Sequence, residues 1–211
     1  DAALLELIRT HHIEKPILIG HSLGATLAIR FATEHAALLS GVVAVDGLPV
    51  FPLLSAGQRE AAAQRMRMQI GHIPPHEFEA QQLRFMRTLG LVNPERAKYY
   101  AALSARSDPD ATDEYLAEDF DLDLRPQLKH ITVPLLEISP YYKPDYVRYA
   151  KLNRRPLTTA RQKAAYYRQL LKGVPQLRVV SIRGARHFVM LDRPQKFFAT
   201  LAAFMPGLPK Q

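Results

Sequence analysis

Apolar positions along the chain follow two rhythms. Four short runs, Pro16–Gly20, Gly41–Val45, Pro134–Ile138 and Leu177–Ile182, are almost continuously apolar and predict strands buried on both faces. Elsewhere apolar residues recur at helical spacing: at Ala3, Leu4, Leu7 and Ile8, then across Leu23–Ala36, Thr158–Lys172 and Pro194–Met205. The last of these carries its proline in the first turn, where a missing N–H costs nothing. Buried strands alternating with helices indicate a parallel sheet, because each crossover between parallel strands lays a helix over the sheet. The expected fold class is therefore α/β, with a parallel sheet of four strands flanked by helices.

One stretch departs from the alternation. Between the second and third runs, residues 47–132 show helical patterns and no convincing strand, so they predict a helical cap inserted into a core made of residues 1–46 and 133–211. Its expected segments are Ala56–Ile70, Pro75–Leu89, Asn93–Ala105 and Thr112–Glu118, punctuated by Gly71, Pro74-Pro75, Gly90 and Ser107-Asp108-Pro109.

Composition narrows the classes. With 47% hydrophobic and 23% charged residues, the chain is not a long disordered tail. It contains no uninterrupted apolar run long enough for a membrane-spanning helix, and no opening that resembles an export signal. Zero cysteines exclude disulfides, thiolate metal sites and a cysteine nucleophile. The net charge of +8 favours anionic ligands without naming a partner. Compartment and oligomeric state are not set by these features.

Gly20-His21-Ser22-Leu23-Gly24 is a G-x-S-x-G sequence lying directly between a predicted strand and a predicted helix. In a nucleophile elbow this corner is sharp, and glycines two before and two after the serine let it close. Ser22 then sits at a helix N-terminus, and the N–H of Leu23 can donate to an oxyanion. A serine hydroxyl needs a base to become a nucleophile. Of eight histidines, His187 has the strongest claim. It follows the fourth strand in a loop at the carboxyl edge of the sheet, where sites form on open α/β sheets and where Ser22 also lies.

The order strand, GHSLGA elbow, helix, strand, helical insertion, strand, helix, strand and GARHFVMLDRP histidine loop resembles the C-terminal two-thirds of an α/β-hydrolase. The resemblance is strongest at Pro16–Ala25 and Gly184–Pro194, and it implies Ser22 as nucleophile and His187 as base. Two aspartates compete for the acid. The commonest family position, about nine residues past a proline matching Pro134, falls on Lys143, with Asp145 two residues farther on. Asp46 ends the strand after the elbow, where some family members place their acid, and it is favoured because it leaves a buried strand directly at the active edge.

The resemblance also implies what this chain does not show. It opens at Asp1 without a methionine and enters a helical pattern at once, which reads as a fragment lacking the family's first four strands and its second oxyanion loop. An exposed edge is expected at Ile17–Ile19. The implied function is a serine hydrolase cleaving a carboxylic ester or related acyl substrate, with no cofactor. The alternative is a non-catalytic module of the same fold that binds a small ligand or a protein.

Other residues carry weaker signals. Met66, Met68, Phe78, Leu83, Phe85, Met86, Tyr99 and Tyr100 could line an acyl pocket, but their spacing suits the insertion's own core. Arg59, Arg65, Arg67, Arg84 and Arg87 could meet a substrate anion, but a solvated helix face is the favoured reading. His72 and His76 have ligand spacing, but Pro74-Pro75 breaks the helix between them and no metal site is expected. The basic aromatic stretch from Tyr141 to Arg155 is read as a loop over the sheet edge, and with no recognition-helix or RNA-binding signature no nucleic-acid partner is expected.

Overall fold

The computed structural model describes residues 1–51, 54–150 and 157–208. In chain order its elements are α1 (Ala2–Thr10), β1 (Ile17–His21), α2 (Leu23–His35), β2 (Gly41–Val45), α3 (Ala56–Gln69), α4 (Pro75–Phe85), α5 (Pro94–Ser104), α6 (Pro109–Asp121), β3 (Leu135–Tyr141), α7 (Lys143–Ala150), α8 (Ala160–Leu170), β4 (Leu177–Arg183), α9 (Val189–Asp192) and α10 (Pro194–Phe204). The strands form one parallel sheet in the order β1-β2-β3-β4.

Strand alternation sorts the core into two layers. Val42, Ala44 and Leu135 face α1, α2 and α8, where they pack with Ile29, Phe31, Leu171 and Ile8. Val43, Val45, Leu136 and Ile138 face the other way, against Phe197, Leu201 and Phe204 of α10. β2 is buried along its whole length, as expected of a parallel strand covered on both faces. β1 lies at the sheet edge, and Ile19 is 49% exposed there.

Three predicted boundaries shift, and one predicted loop is a helix. β3 runs on through Ser139, Pro140 and Tyr141, because its ladder with β4 continues after β2 has ended at Val45. Pro140 is tolerated there because only one side of the strand is still paired. α6 starts earlier than expected, since Asp108 caps it by accepting from the N–H groups of Asp110 and Ala111, with Pro109 in the first turn. α4 ends at Phe85 and continues as a wider π-turn over Met86–Gly90. Lys143–Ala150, expected as loop, is the helix α7. Lys151, Arg154 and Arg155 of the same basic stretch lie outside the described residues.

Helices α3–α6 fall between β2 and β3. Ala63 and Met66 of α3 pack with Ala117 and Phe120 of α6. Met86, Leu91, Ala97 and Ala101 form a second small core, which includes Phe188 and Leu191 from the segment after β4. The two ends of the insertion are stitched by an antiparallel bridge between Val50 and Asp123 and by Leu124 N–H donating to Pro49 O at 2.7 Å.

Candidate active site

A single residue separates β1 from α2. Ser22 occupies that corner at φ 54°, ψ −125°, in the left-handed half of backbone space that a side chain rarely enters. Its N–H donates to Val45 O at 2.9 Å, tying the corner to the end of β2. Gly20 is required: a Cβ there would lie 2.1 Å from Gly24 O. Gly24 is not required, because a Cβ at that position meets nothing within 4 Å, which corrects the expectation that both glycines close the turn. The second tight approach is at Gly47, where a Cβ would sit 2.6 Å from Ser22 O and 2.3 Å from the Ala25 Cβ. Leu23 is the first residue of α2, so its N–H has no acceptor within the helix and is free for an anion at the corner.

The structure brings His187 and Asp46 together. His187 Nδ1 lies 2.7 Å from Asp46 Oδ2, which fixes the proton on Nδ1 and leaves Nε2 as the basic nitrogen of the neutral ring. Asp46 leaves β2 in a left-handed conformation (φ 51°), with its N–H held by Ile138 O at 3.0 Å. Its other carboxylate oxygen accepts from Tyr167 Oη at 2.6 Å and from Lys163 Nζ at 3.1 Å. Burial pushes the Asp46 carboxyl up. The Lys163 charge and the hydrogen bonds from His187 and Tyr167 outweigh it, so the group is held well below the usual carboxylate range. Asp145 is engaged elsewhere, in a two-point pair with Arg186 at 2.7 and 2.8 Å.

Sequence reasoning missed several members of this cluster. Lys163 is only 4% exposed; its ammonium also donates to Pro140 O at 2.6 Å and lies 4.9 Å from the centre of the Tyr167 ring. Lys163 and Tyr167 are four residues apart on α8, so they share one face, but a lysine on a helix ordinarily reads as solvated. Glu137 points to the same side of β3 as Leu135 and is completely buried, with neither carboxylate oxygen hydrogen-bonded. Burial and the nearby Asp46 push its carboxyl well up. His21, within the elbow sequence, places Nε2 3.0 Å from His187 O, with the two rings 4.5 Å apart. Burial and the neighbouring His187 push His21 down to about 4, so it is neutral near pH 7 and its Nε2–H donates to that carbonyl.

Ser22, Leu23, Asp46 and His187 all line one cavity of about 810 Å³ between the sheet edge and the inserted helices. Of the insertion's apolar residues weighed for an acyl pocket and read as its own core, Phe85 reaches this cavity. Met66, Leu83, Met86 and Tyr100 pack in the insertion's own cores and Phe78 is buried, while Met68 and Tyr99 are exposed. The apolar walls come instead from Leu48, Val50, Phe51, Leu89, Tyr115 and Leu116. None of Arg59, Arg65, Arg67, Arg84 and Arg87 is among the lining residues. Arg67 pairs with Asp121 at the surface, and Arg59 turns inward to Asp123 at 3.6 Å. Among the described residues, no three His, Asp or Glu side chains converge on a metal-sized point, and no helix is long and apolar enough to cross a membrane.

Comparison with known proteins agrees with this architecture. The structure resembles the enol-lactonase from Burkholderia xenovorans LB400, with a TM-score of 0.68 and 18% identity over 97% of this chain and 70% of that one. It resembles a thermophilic esterase from Thermogutta terrifontis with a TM-score of 0.69 and 16% identity, over 97% and 70%. It also resembles a bromoperoxidase from Bacillus anthracis, with a TM-score of 0.70 and 17% identity over 96% and 71%. At these identities the likeness is one of fold. No curated protein gives a significant sequence match. The model of the alpha/beta hydrolase family matches residues 1–200, and the chain belongs to that family.

Proposed function

We propose that the protein is a serine hydrolase that cleaves a carboxylic ester or related acyl substrate through an acyl-serine intermediate. The observation that carries this reading is the cavity in which Ser22, at its left-handed corner, and the His187–Asp46 pair lie together. In the proposed reaction, His187 Nε2 takes the hydroxyl proton as Ser22 Oγ attacks the carbonyl carbon. The carbonyl electron pair moves onto oxygen, where the Leu23 N–H and the α2 N-terminus stabilise it. The pair then returns, the bond to the alcohol oxygen breaks, and the imidazolium returns its proton to the departing alkoxide. Water, deprotonated by His187, attacks the acyl-serine in the same manner and releases the carboxylic acid and free Ser22.

In this reading Asp46 holds the tautomer and stabilises the imidazolium, while Lys163 and Tyr167 position Asp46 and His21 positions the His187 backbone. Residues 47–132 act as a cap that shapes the acyl cavity from above. Two of the fold neighbours are named as an esterase and an enol-lactonase, which is consistent with acyl chemistry on this framework. A fluorophosphonate probe should label Ser22 in the intact protein and fail to label Ser22→Ala. Absence of labelling in the unsubstituted protein overturns the proposal.

A further inference from the structure

β4 pairs with β3 on one side only, and the hydrogen bonds of that ladder fix what its other side presents. Leu135 N–H donates to Gln176 O and Gly184 N–H to Tyr141 O, so along β4 the even-numbered residues turn their N–H and C=O toward β3 and the odd-numbered ones turn theirs away. Arg168 reaches Val179 O on that outer side, at 3.3 Å. Ser181 lies at the middle of the same outer edge, and among the described residues its N–H and C=O meet no partner. Val180 and Ser181 are half-buried, whereas β2 and β3 are buried along their whole lengths.

A groove of about 430 Å³ follows this edge between β4 and α10. Val180 and Ile182, with Ala199 and Ala203 of α10, supply its apolar surface. Arg178, Arg183 and Lys196 supply its charge, and no described aspartate or glutamate lines it. None of these three cations is ion-paired among the described residues. The residues outside the description contain no aspartate or glutamate, so none of their side chains supplies a counter-charge.

We propose that the outer edge of β4 docks an extended acidic segment of a partner protein, which joins the sheet as an added strand. The Ser181 N–H and C=O hold its backbone, Arg178, Arg183 and Lys196 select carboxylates along it, and the apolar surface takes a small apolar side chain between them. A second copy of this chain fits the edge less well, because it would bring the same cations to the same short strand, where like charges oppose pairing. A nucleic acid would satisfy the cations but has no strand backbone to offer the Ser181 N–H and C=O. The proposal stands apart from the hydrolase reading, since no residue of this groove lines the cavity that holds Ser22.

The test uses a capped, fluorescein-labelled peptide that alternates glutamate and valine over the seven-residue length of β4, with binding followed by fluorescence anisotropy. Saturable binding that weakens with added salt is expected, and a lysine–valine peptide of equal length should not bind. Arg178→Ser combined with Arg183→Ser should weaken the complex at least about tenfold, the size of one lost charge-assisted hydrogen bond. Methylating every peptide nitrogen keeps the carboxylates but removes the strand donors, and should abolish binding. Ser181→Pro takes the central N–H from the outer edge without touching the ladder to β3, and should abolish it too. Circular dichroism melting shows whether that variant has folded, and the methylated peptide decides where it has not. Absence of saturable binding overturns the proposal. Binding that survives methylation, or that a labelled oligouridylate equals, marks a basic patch open to any polyanion and overturns the added strand. A dimer in sedimentation velocity that Ser181→Pro abolishes gives the edge to a second copy and overturns the acidic partner.

Discussion

Asp46 is asked to do two separable things, and a pair of variants distinguishes them. It orients His187, and it compensates the Lys163 ammonium, which is 4% exposed. Asp46→Asn keeps the size of the side chain but removes its charge, leaving Lys163 with the Pro140 carbonyl and two tyrosine rings. Breaking a buried pair from one side costs about 3–5 kcal/mol, because the remaining charge stays desolvated. For a chain of this length each kcal/mol lowers the melting temperature by about 2–4 °C, so the expected loss is about 6–20 °C. Turnover should fall by about four orders of magnitude, since an amide can hold the wrong imidazole tautomer. Combining Asp46→Asn with Lys163→Met removes the stranded charge and should restore most of the melting temperature, while turnover stays low. Calorimetric melting and ester turnover on the unsubstituted protein and three variants complete the cycle. Recovery of turnover together with stability in the double variant would show that Asp46 acts only as a counter-charge. A single variant that melts within 2 °C of the unsubstituted protein would refute the buried pair.

Two further predictions concern the neighbourhood of that pair. Gly20→Ala forces a methyl to within 2.1 Å of Gly24 O and should abolish Ser22 labelling or prevent folding, whereas Gly24→Ala, with open space around it, should fold and label normally by the same gel assay. The raised carboxyl of Glu137 gives a pH-dependent penalty of definite sign. Above the ordinary value of 4.5 the unfolded chain releases this proton and the folded chain keeps it, so the contribution of Glu137 to stability is complete below that value and is lost as pH rises toward its elevated one. Glu137→Gln should therefore gain melting temperature over the unsubstituted protein between pH 5 and pH 8; a gain that shrinks with pH would contradict this.

What the sequence made legible was local. Ser22 announces itself because the elbow compresses strand, corner and helix into adjacent residues, and His187 because it follows the last apolar run in one short loop. The four strands were readable because parallel strands buried on both faces lose their alternation. Lys163 and Tyr167 were not readable, since they reach Asp46 from 117 and 121 residues away and no local pattern marks an inward-facing lysine. Gly47 was invisible for the same reason: its lack of a side chain matters to Ser22 and Ala25, on a different strand-helix unit. The residues that wall the cavity were not readable, because helical spacing tells which residues of the insertion are buried but not whether they face a cavity or one another.

The three proposed catalytic groups are also not held equally. Ser22 and Asp46 sit at the ends of neighbouring strands and are packed into one unit: Ser22 N–H bonds Val45 O, and Gly47 lies against Ser22 O. His187 arrives from β4, two strands beyond β2, and the sheet reaches it through side chains: His21 of β1 bonds its carbonyl and Asp46, after β2, bonds its ring. Its backbone N–H and the loop around it are held by the inserted helices. His187 N–H donates to Leu89 O and Phe188 N–H to Gly90 O, each at 3.1 Å, at the π-turn that ends α4. The Asp192 carboxylate clasps Val92 N–H from the insertion and Arg186 N–H from the histidine loop, and the Arg186 guanidinium reaches back to Arg87 O and Leu91 O. A shift of α4 and α5 relative to the sheet therefore moves the imidazole before it disturbs the serine or its acid, because the hydrogen bonds that would have to break lie on the histidine side. On the proposed reading, the helices that shape the cavity and those that hold His187 in line are the same, which couples the fit of an acyl chain to the position of the proposed proton acceptor.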